Sequence, residues 1–252
     1  DVTLIVKEES EHHLLETGYQ RPFELAPAVR SGLISVERCQ MGDNSSDWQR
    51  VKEAVSSAFG IDVDSIPVNP RILDKVFVTL EEHDYHVTAV LYNNEIIDLL
   101  PPDANYKPYG AAFDIGTTSV VCYLLDLQTG QEVSHSSMLN PQSQFGADVI
   151  ARSEYAIANG VDVLSTVIRK ALNELIDEAL EHAAKAGNTD IQKEKIYVVT
   201  IVGNTCMHHL YMGIDPTPLT VVPYEAVVKD YMTVTPAEVD MSIRPGWFWH
   251  QE

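Results

Sequence analysis

Basic residues are scarce: 17 lysines and arginines stand against 37 aspartates and glutamates, a formal net charge of −20 over 252 residues. A surface of that sign repels a phosphate backbone unless its cations are gathered in one patch. No Lys/Arg cluster occurs, so nucleic acid is not expected as a partner. Cysteine is scarce too. Cys39, Cys122 and Cys206 are far apart and three in number, which suits neither a disulfide framework nor a zinc ribbon. A ferredoxin cluster needs four thiolates, several of them close together, so this chain cannot hold such a centre by itself. Also missing is any run of about 18 apolar residues, and the opening stretch 1–7 is too short and too charged for a signal peptide. A soluble, cytoplasmic protein with no membrane partner is the expectation.

What is present is a globular mixture, 45% hydrophobic and 21% charged. At roughly 100–200 residues per domain the length allows one large domain or two modest ones. The start without Met and the abrupt end at 244–252 suggest a piece of a longer protein. Residues 1–25 mix charges with a short apolar alternation up to Arg21-Pro22 and read as a linker. From Asp47, a candidate N-cap, Trp48, Val51, Val55, Ala58 and Phe59 recur at helical spacing until Gly60. Residues 76–80, 86–92 and 95–100 are β-branched runs of strand length, the last two joined at Asn93-Asn94. Residues 26–106 thus form a small α+β unit, closed by a polar link between Pro101-Pro102 and Lys107-Pro108.

A second unit, 109–252, opens with an apolar strand to Asp114, a turn at Ile115 to Thr118, and a second strand to Asp126. Residues 131–139 supply a third strand. Helices are expected from Asp148 to Asn159 and from Val161 to Ala186, the second on the stripe Leu164, Ile168, Leu172, Leu175, Ile176 and Ala179. Ile196 to Val202 reads as a buried strand running into Gly203-Asn204-Thr205, and a helix carrying Met207, Leu210 and Tyr211 ends at Gly213. Hairpin, long crossover helix, strand, helix is the order of an α/β layer.

The bend Asp114-Ile115-Gly116-Thr117-Thr118 carries the most chemistry. A carboxylate at a strand end can hold magnesium through water. Gly116 lets backbone approach an anion, and two threonines offer hydroxyls and amides to phosphate. By themselves the same five residues are equally an ordinary turn. Gly203, Asn204 and Thr205 stand at a strand-to-helix switch, where a helix cap and a ligand site are both open readings. Asn140, Gln142, Gly146 and Asp148 lie in a segment that is either a cleft loop or a surface loop whose Asp148 caps a helix.

The stretch Ala111 to Asp126 resembles the first phosphate loop of the acetate and sugar kinase, heat-shock chaperone and actin superfamily. That loop is followed by Asn140-Pro-Gln-Ser-Gln-Phe-Gly-Ala-Asp-Val-Ile-Ala-Arg152 and later by Ile201-Val-Gly-Asn-Thr-Cys-Met-His-His-Leu210. In this order the three motifs are similar to the family of ATP-dependent reductive activators of corrinoid proteins, over most of residues 109–222. A sugar kinase would share the first motif alone. The resemblance implies an α/β fold: a small α+β middle domain (26–106), then the first lobe of an actin-like, ribonuclease H-like ATPase domain (109–252). It implies that ATP drives Co(II) of a corrinoid back to Co(I). The electrons would come from a [2Fe–2S] domain that, like the second ATPase lobe, lies outside this sequence. It assigns Asp114 as catalytic and as the magnesium ligand through water, with Asp114, Ile115, Gly116, Thr117, Thr118, Gly203, Asn204 and Thr205 binding ATP. Asn140, Gln142, Gly146 and Asp148 go to cleft or partner contacts. The implied partners are a corrinoid protein of a methyltransferase or acetyl-CoA synthesis system, an electron donor and a second copy of the chain.

Two other functions compete: a small-molecule kinase of the same superfamily, and a non-catalytic docking or dimerisation module. Cys206, His208 and His209 suggest a metal, with His12 and His13 as distant helpers. Against that, adjacent helical histidines point about 100° apart, and packing explains them better. Glu174, Asp177, Glu178 and Glu181 form a solvated helix face or a docking patch, and Trp247 and Trp249 are aromatic anchors or core.

Overall fold

The computed structural model describes residues 26–243 and the backbone of 249–251. The linker assigned to 1–25, with His12 and His13, and Trp247 lie outside the described residues. Two sheets organise the rest. The first is three-stranded and antiparallel, β1 (Val29–Ser35), β2 (His86–Tyr92) and β3 (Glu95–Leu100), in that order. Helices α1 (Asp47–Phe59) and α2 (Leu73–Glu82) cover one of its faces. Strand β2 is buried on both faces, which is why it reads as a nearly continuous apolar run broken only by Thr88. Val87, Ala89 and Leu91 join the core under the helices, whereas Val90 turns to a separate cluster with Val29, Ile97 and Tyr197 of the second unit.

Helix α1 begins one residue before the sequence suggested. Ser46 is the N-cap, its hydroxyl accepting from the Gln49 amide at 3.1 Å, and Asp47 is the first helical residue. Gly60 ends the helix in the left-handed region (φ 67°). The expected strand 76–80 is a correction: these residues lie inside α2. Ile72, Val76 and Leu80, spaced by four, are buried on one side, and Phe77 and Val78 stay exposed. That spacing serves the core as a helix, and packing overrides the β preference of Val-Phe-Val-Thr.

The second sheet has five strands in the order β6-β5-β4-β7-β8, with β4 (Tyr109–Ile115), β5 (Ser119–Asp126), β6 (Glu132–Leu139), β7 (Ile196–Gly203) and β8 (Trp249–Gln251). Strands β4, β5 and β6 are an antiparallel meander, and β7 and β8 run parallel to β4. Numbered within this sheet the order is third, second, first, fourth, fifth, that of a ribonuclease H-like lobe. The crossover from β6 to β7 contains α3 (Val149–Asn159) and α4 (Asp162–Lys185), followed after β7 by α5 (Thr205–Met212) and α6 (Thr217–Thr220). The inward stripe of α4, from Leu164 to Ala183, packs on the sheet and on α5. Ser134 and Ser136 of β6 donate to the Ala179 and Leu175 carbonyls at 2.7 and 2.6 Å and fix the helix against the strand. No helix among the described residues is long and apolar enough to cross a membrane.

Candidate functional site

Strands β4 and β7 are parallel neighbours, and Ile115 pairs with Gly203. Their carboxyl ends therefore lie side by side, so the bend after β4 and the switch after β7 meet at one sheet edge although they are far apart in sequence. Such an edge, where strands hand over to loops and helix N-termini, is where open α/β sheets bind ligands. Asp114 is exposed there, flanked on the strands by Val202 and Val121. Ile115 is buried, so only its backbone belongs to the edge.

Two glycines allow the close approach. A Cβ on Gly116 would stand 2.7 Å from the Ser119 carbonyl oxygen, and one on Gly203 would stand 3.0 Å from that of Ile115. Asn204 has two roles at once. Its Oδ1 accepts from the Met207 amide at 3.0 Å and caps α5, and its Nδ2 donates to Thr117 Oγ1 at 3.2 Å, joining the switch to the bend. Thr118 and Thr205 are exposed beside them.

Beneath the bend lie two buried donors. Asn140 gives Nδ2 to the Gly116 carbonyl at 2.7 Å and its backbone amide to the Thr118 carbonyl at 2.8 Å, and its Oδ1 accepts from the Gln142 amide at 2.9 Å. Arg152 of α3 gives one terminal nitrogen to the Thr117 carbonyl at 2.7 Å, Nε to the Gly146 carbonyl at 2.9 Å, and the other terminal nitrogen to the Met207 sulfur at 3.4 Å. In a trans peptide the carbonyl and the following N–H point in opposite directions. Holding the Gly116 and Thr117 carbonyls inward therefore turns the amides of Thr117 and Thr118 away from the interior. Two successive outward amides can donate to an anion. The N-terminus of α5 adds its partial positive charge to the same edge.

The middle motif divides. Asn140 and Gln142 are buried, and Gln142 donates to the Leu164 carbonyl at 3.1 Å inside α4. As they stand, neither side chain can meet a partner or a cleft; they hold backbone. Gly146 packs where a Cβ would lie 2.6 Å from the Arg152 amide nitrogen. Asp148 is exposed and caps α3 through the Ala151 amide at 2.9 Å. Arg152 closes the middle motif, and the sequence alone gives it no role. The signal that could have singled it out is its place on the inward side of α3, with Ser153 and Ala156, where a cation is out of keeping.

The metal reading of Cys206, His208 and His209 meets two obstacles. Among the described residues no group of three His, Cys, Asp or Glu side chains stands together as a metal site. His209 has both ring nitrogens engaged: Nδ1 donates to the Thr205 carbonyl at 2.7 Å, which leaves Nε2 to accept from the Val227 amide at 3.1 Å. Burial raises the Cys206 thiol, opposed in part by a hydrogen bond with Ser153.

A family model described as the RACo linker region matches residues 18–105, and one described as the RACo middle region matches 109–248. They meet at the polar link between the sheets. The unit expected here as a middle domain, 26–106, lies almost wholly in the linker-region match, and strands β4 to β7 lie in the middle-region match, with β8 just beyond it. The corrinoid activation enzyme RamQ of Eubacterium limosum is 36% identical over 158 residues, 62% of this chain and 26% of that protein. The solved structure of a reductive activator for corrinoid, iron-sulfur protein superposes with a TM-score of 0.79 and 26% identity, over 94% of this chain and 37% of that one. The chain thus spans between about a quarter and somewhat over a third of the length of these relatives. With more than half of its residues matched by the middle-region model, the chain belongs to the RACo family of corrinoid activators.

Proposed function

We propose that the chain is part of an ATP-driven activator that returns a partner protein's corrinoid from Co(II) to Co(I), and that the bend 114–118 is its contact with the β- and γ-phosphates. The observation that carries this reading is the convergence of three separated motifs on one sheet edge, with two carbonyls of the bend held inward by Asn140 and Arg152. Magnesium fits the donor set: an exposed carboxylate suits a hydrated hard cation, and the ion when bound offsets phosphate charge. Asp114 would orient that hydrated ion. The amides and hydroxyls of Thr117 and Thr118 would donate to phosphate oxygens, and Asn204 would keep the α5 N-terminus against the bend.

Reducing Co(II) is uphill for ordinary donors, so nucleotide must favour one arrangement of activator and corrinoid protein over another. Electrons come, in this reading, from an iron–sulfur domain elsewhere in the protein. The acidic surface, net −20, selects a protein partner by charge complementarity. Full-length protein supplied with reductant, MgATP and a corrinoid protein should bleach the Co(II) spectrum and raise the Co(I) band. Asp114→Asn should cut that rate at least about tenfold, with the melting temperature unchanged because the side chain is exposed. A rate independent of ATP would overturn the proposal.

A further inference from the structure

Two arginines are buried among the described residues, and they are held differently. Arg50 sits between the carboxylates of Asp43 and Asp47. Arg152 is fully buried, yet its partners are two carbonyls and a thioether, and it has no ion pair among the described residues. Asp148, four positions earlier in sequence, uses a carboxylate oxygen to cap α3. A guanidinium stays charged at any accessible pH, so a full positive charge lies inside the lobe without a direct ion pair among the described residues, met only by the longer-range field of Asp148. The partner that Arg152 holds most closely is the Thr117 carbonyl, in the bend itself. A protein with net charge −20 repels a polyanion at long range, and a fixed cation behind the bend offsets that repulsion locally.

We propose that Arg152 is the residue that charges the bend. Its buried guanidinium supplies positive potential behind the amides of Thr117 and Thr118, and a bound polyphosphate supplies counter-charge that no direct ion pair provides. The inference rests on the nucleotide reading above and deepens it, since it makes the recognised group the phosphate chain rather than the nucleoside. Arg152 acts through the bend as a positioning and electrostatic residue and is not placed in contact with the ligand.

The test measures binding of MgATP, of magnesium tripolyphosphate and of adenosine to full-length wild type, Arg152→Lys and Arg152→Met by calorimetry. Circular dichroism checks each fold, and Arg152→Gln replaces the Met variant should that one fail to fold. The neutral variant is expected to weaken MgATP and tripolyphosphate at least tenfold and to leave adenosine within twofold. Lysine, which keeps charge but not the fork, should fall within about threefold of wild type. Equal losses for Lys and Met would reduce Arg152 to a scaffold of the bend, and wild-type affinity in the neutral variant would remove its role; either overturns the proposal. A wild type that binds tripolyphosphate but not MgATP would leave the Arg152 inference standing and remove the nucleotide reading. A wild type that binds neither would remove both.

Discussion

Single residues fix the geometry of this sheet edge, and Asn140 shows how. Its amide satisfies the Gly116 carbonyl on one side and the Gln142 amide on the other, in a place without solvent. Asn140→Ala would leave a buried carbonyl and a buried amide without partners, a loss of about 1–3 kcal/mol for each group left unsatisfied. Asn140→Asp keeps the acceptor for Gln142 but turns an acceptor towards the Gly116 carbonyl and adds a buried charge, so it should cost more than the alanine. Urea unfolding of the three proteins tests the order wild type, Ala, Asp. The thiols give a second prediction at this scale. Burial pushes Cys122 up to about 12 and raises Cys206, and Cys39 is exposed. Raised values mean less thiolate, and thiolate is the reactive form. At pH 8 a thiol reagent should label Cys39 in the native state and reach Cys122 and Cys206 only on unfolding, as peptide mapping would read.

Among the elements, α2 separates local preference from packing. Val78 is 49% exposed on this helix, so Val78→Ala should stabilise by a few tenths of a kcal/mol, because alanine is the better helix former. The same change in a strand would destabilise. Leu80, fully buried, should lose about 2–5 kcal/mol on truncation to alanine. Chemical denaturation of the two variants decides between the readings. Elements whose apolar spacing and end residues agree were legible in the sequence: α1 with Gly60, α4 with its long stripe, β7, and α5 with Gly213. Strand β1 was not, because Val-Arg-Ser-Gly-Leu-Ile-Ser does not alternate cleanly. Its Gly32 is there for Phe59, whose ring would stand 3.0 Å from a Cβ. β8 is three residues long and gains its place only by pairing with β7. At the site, the bend could be read because glycine, carboxylate and hydroxyl constrain it locally. The service of Arg152 could not, since its contact with Thr117 spans 35 positions and depends on how α3 packs.

For the whole molecule the decisive feature is the seam between the sheets. Asp98 of β3 is buried there, paired with Lys75 of α2 and accepting from the Tyr197 hydroxyl at 3.2 Å. Tyr197, at the start of β7, also bonds the hydroxyl of Tyr106 in the link at 2.8 Å. Around this chain Val29, Val90 and Ile97 form a small apolar cluster separate from the two main cores. A few residues thus join two bodies that each have a core of their own, and one of them, Tyr197, lies near the start of the strand whose other end, Gly203, stands at the candidate site. Tyr197→Phe keeps the ring and removes the hydroxyl, so Asp98 loses one donor and stability should fall by about 1–3 kcal/mol in a single transition. Tyr197→Ala removes the ring as well and opens the seam, and calorimetry should then resolve two transitions where wild type has one. Proteolysis within 101–108, where Pro101 and Lys107 are exposed, should speed up in the alanine variant alone. One transition in Tyr197→Ala, with unchanged cleavage of the link, would mean that the two bodies are coupled by something other than this seam.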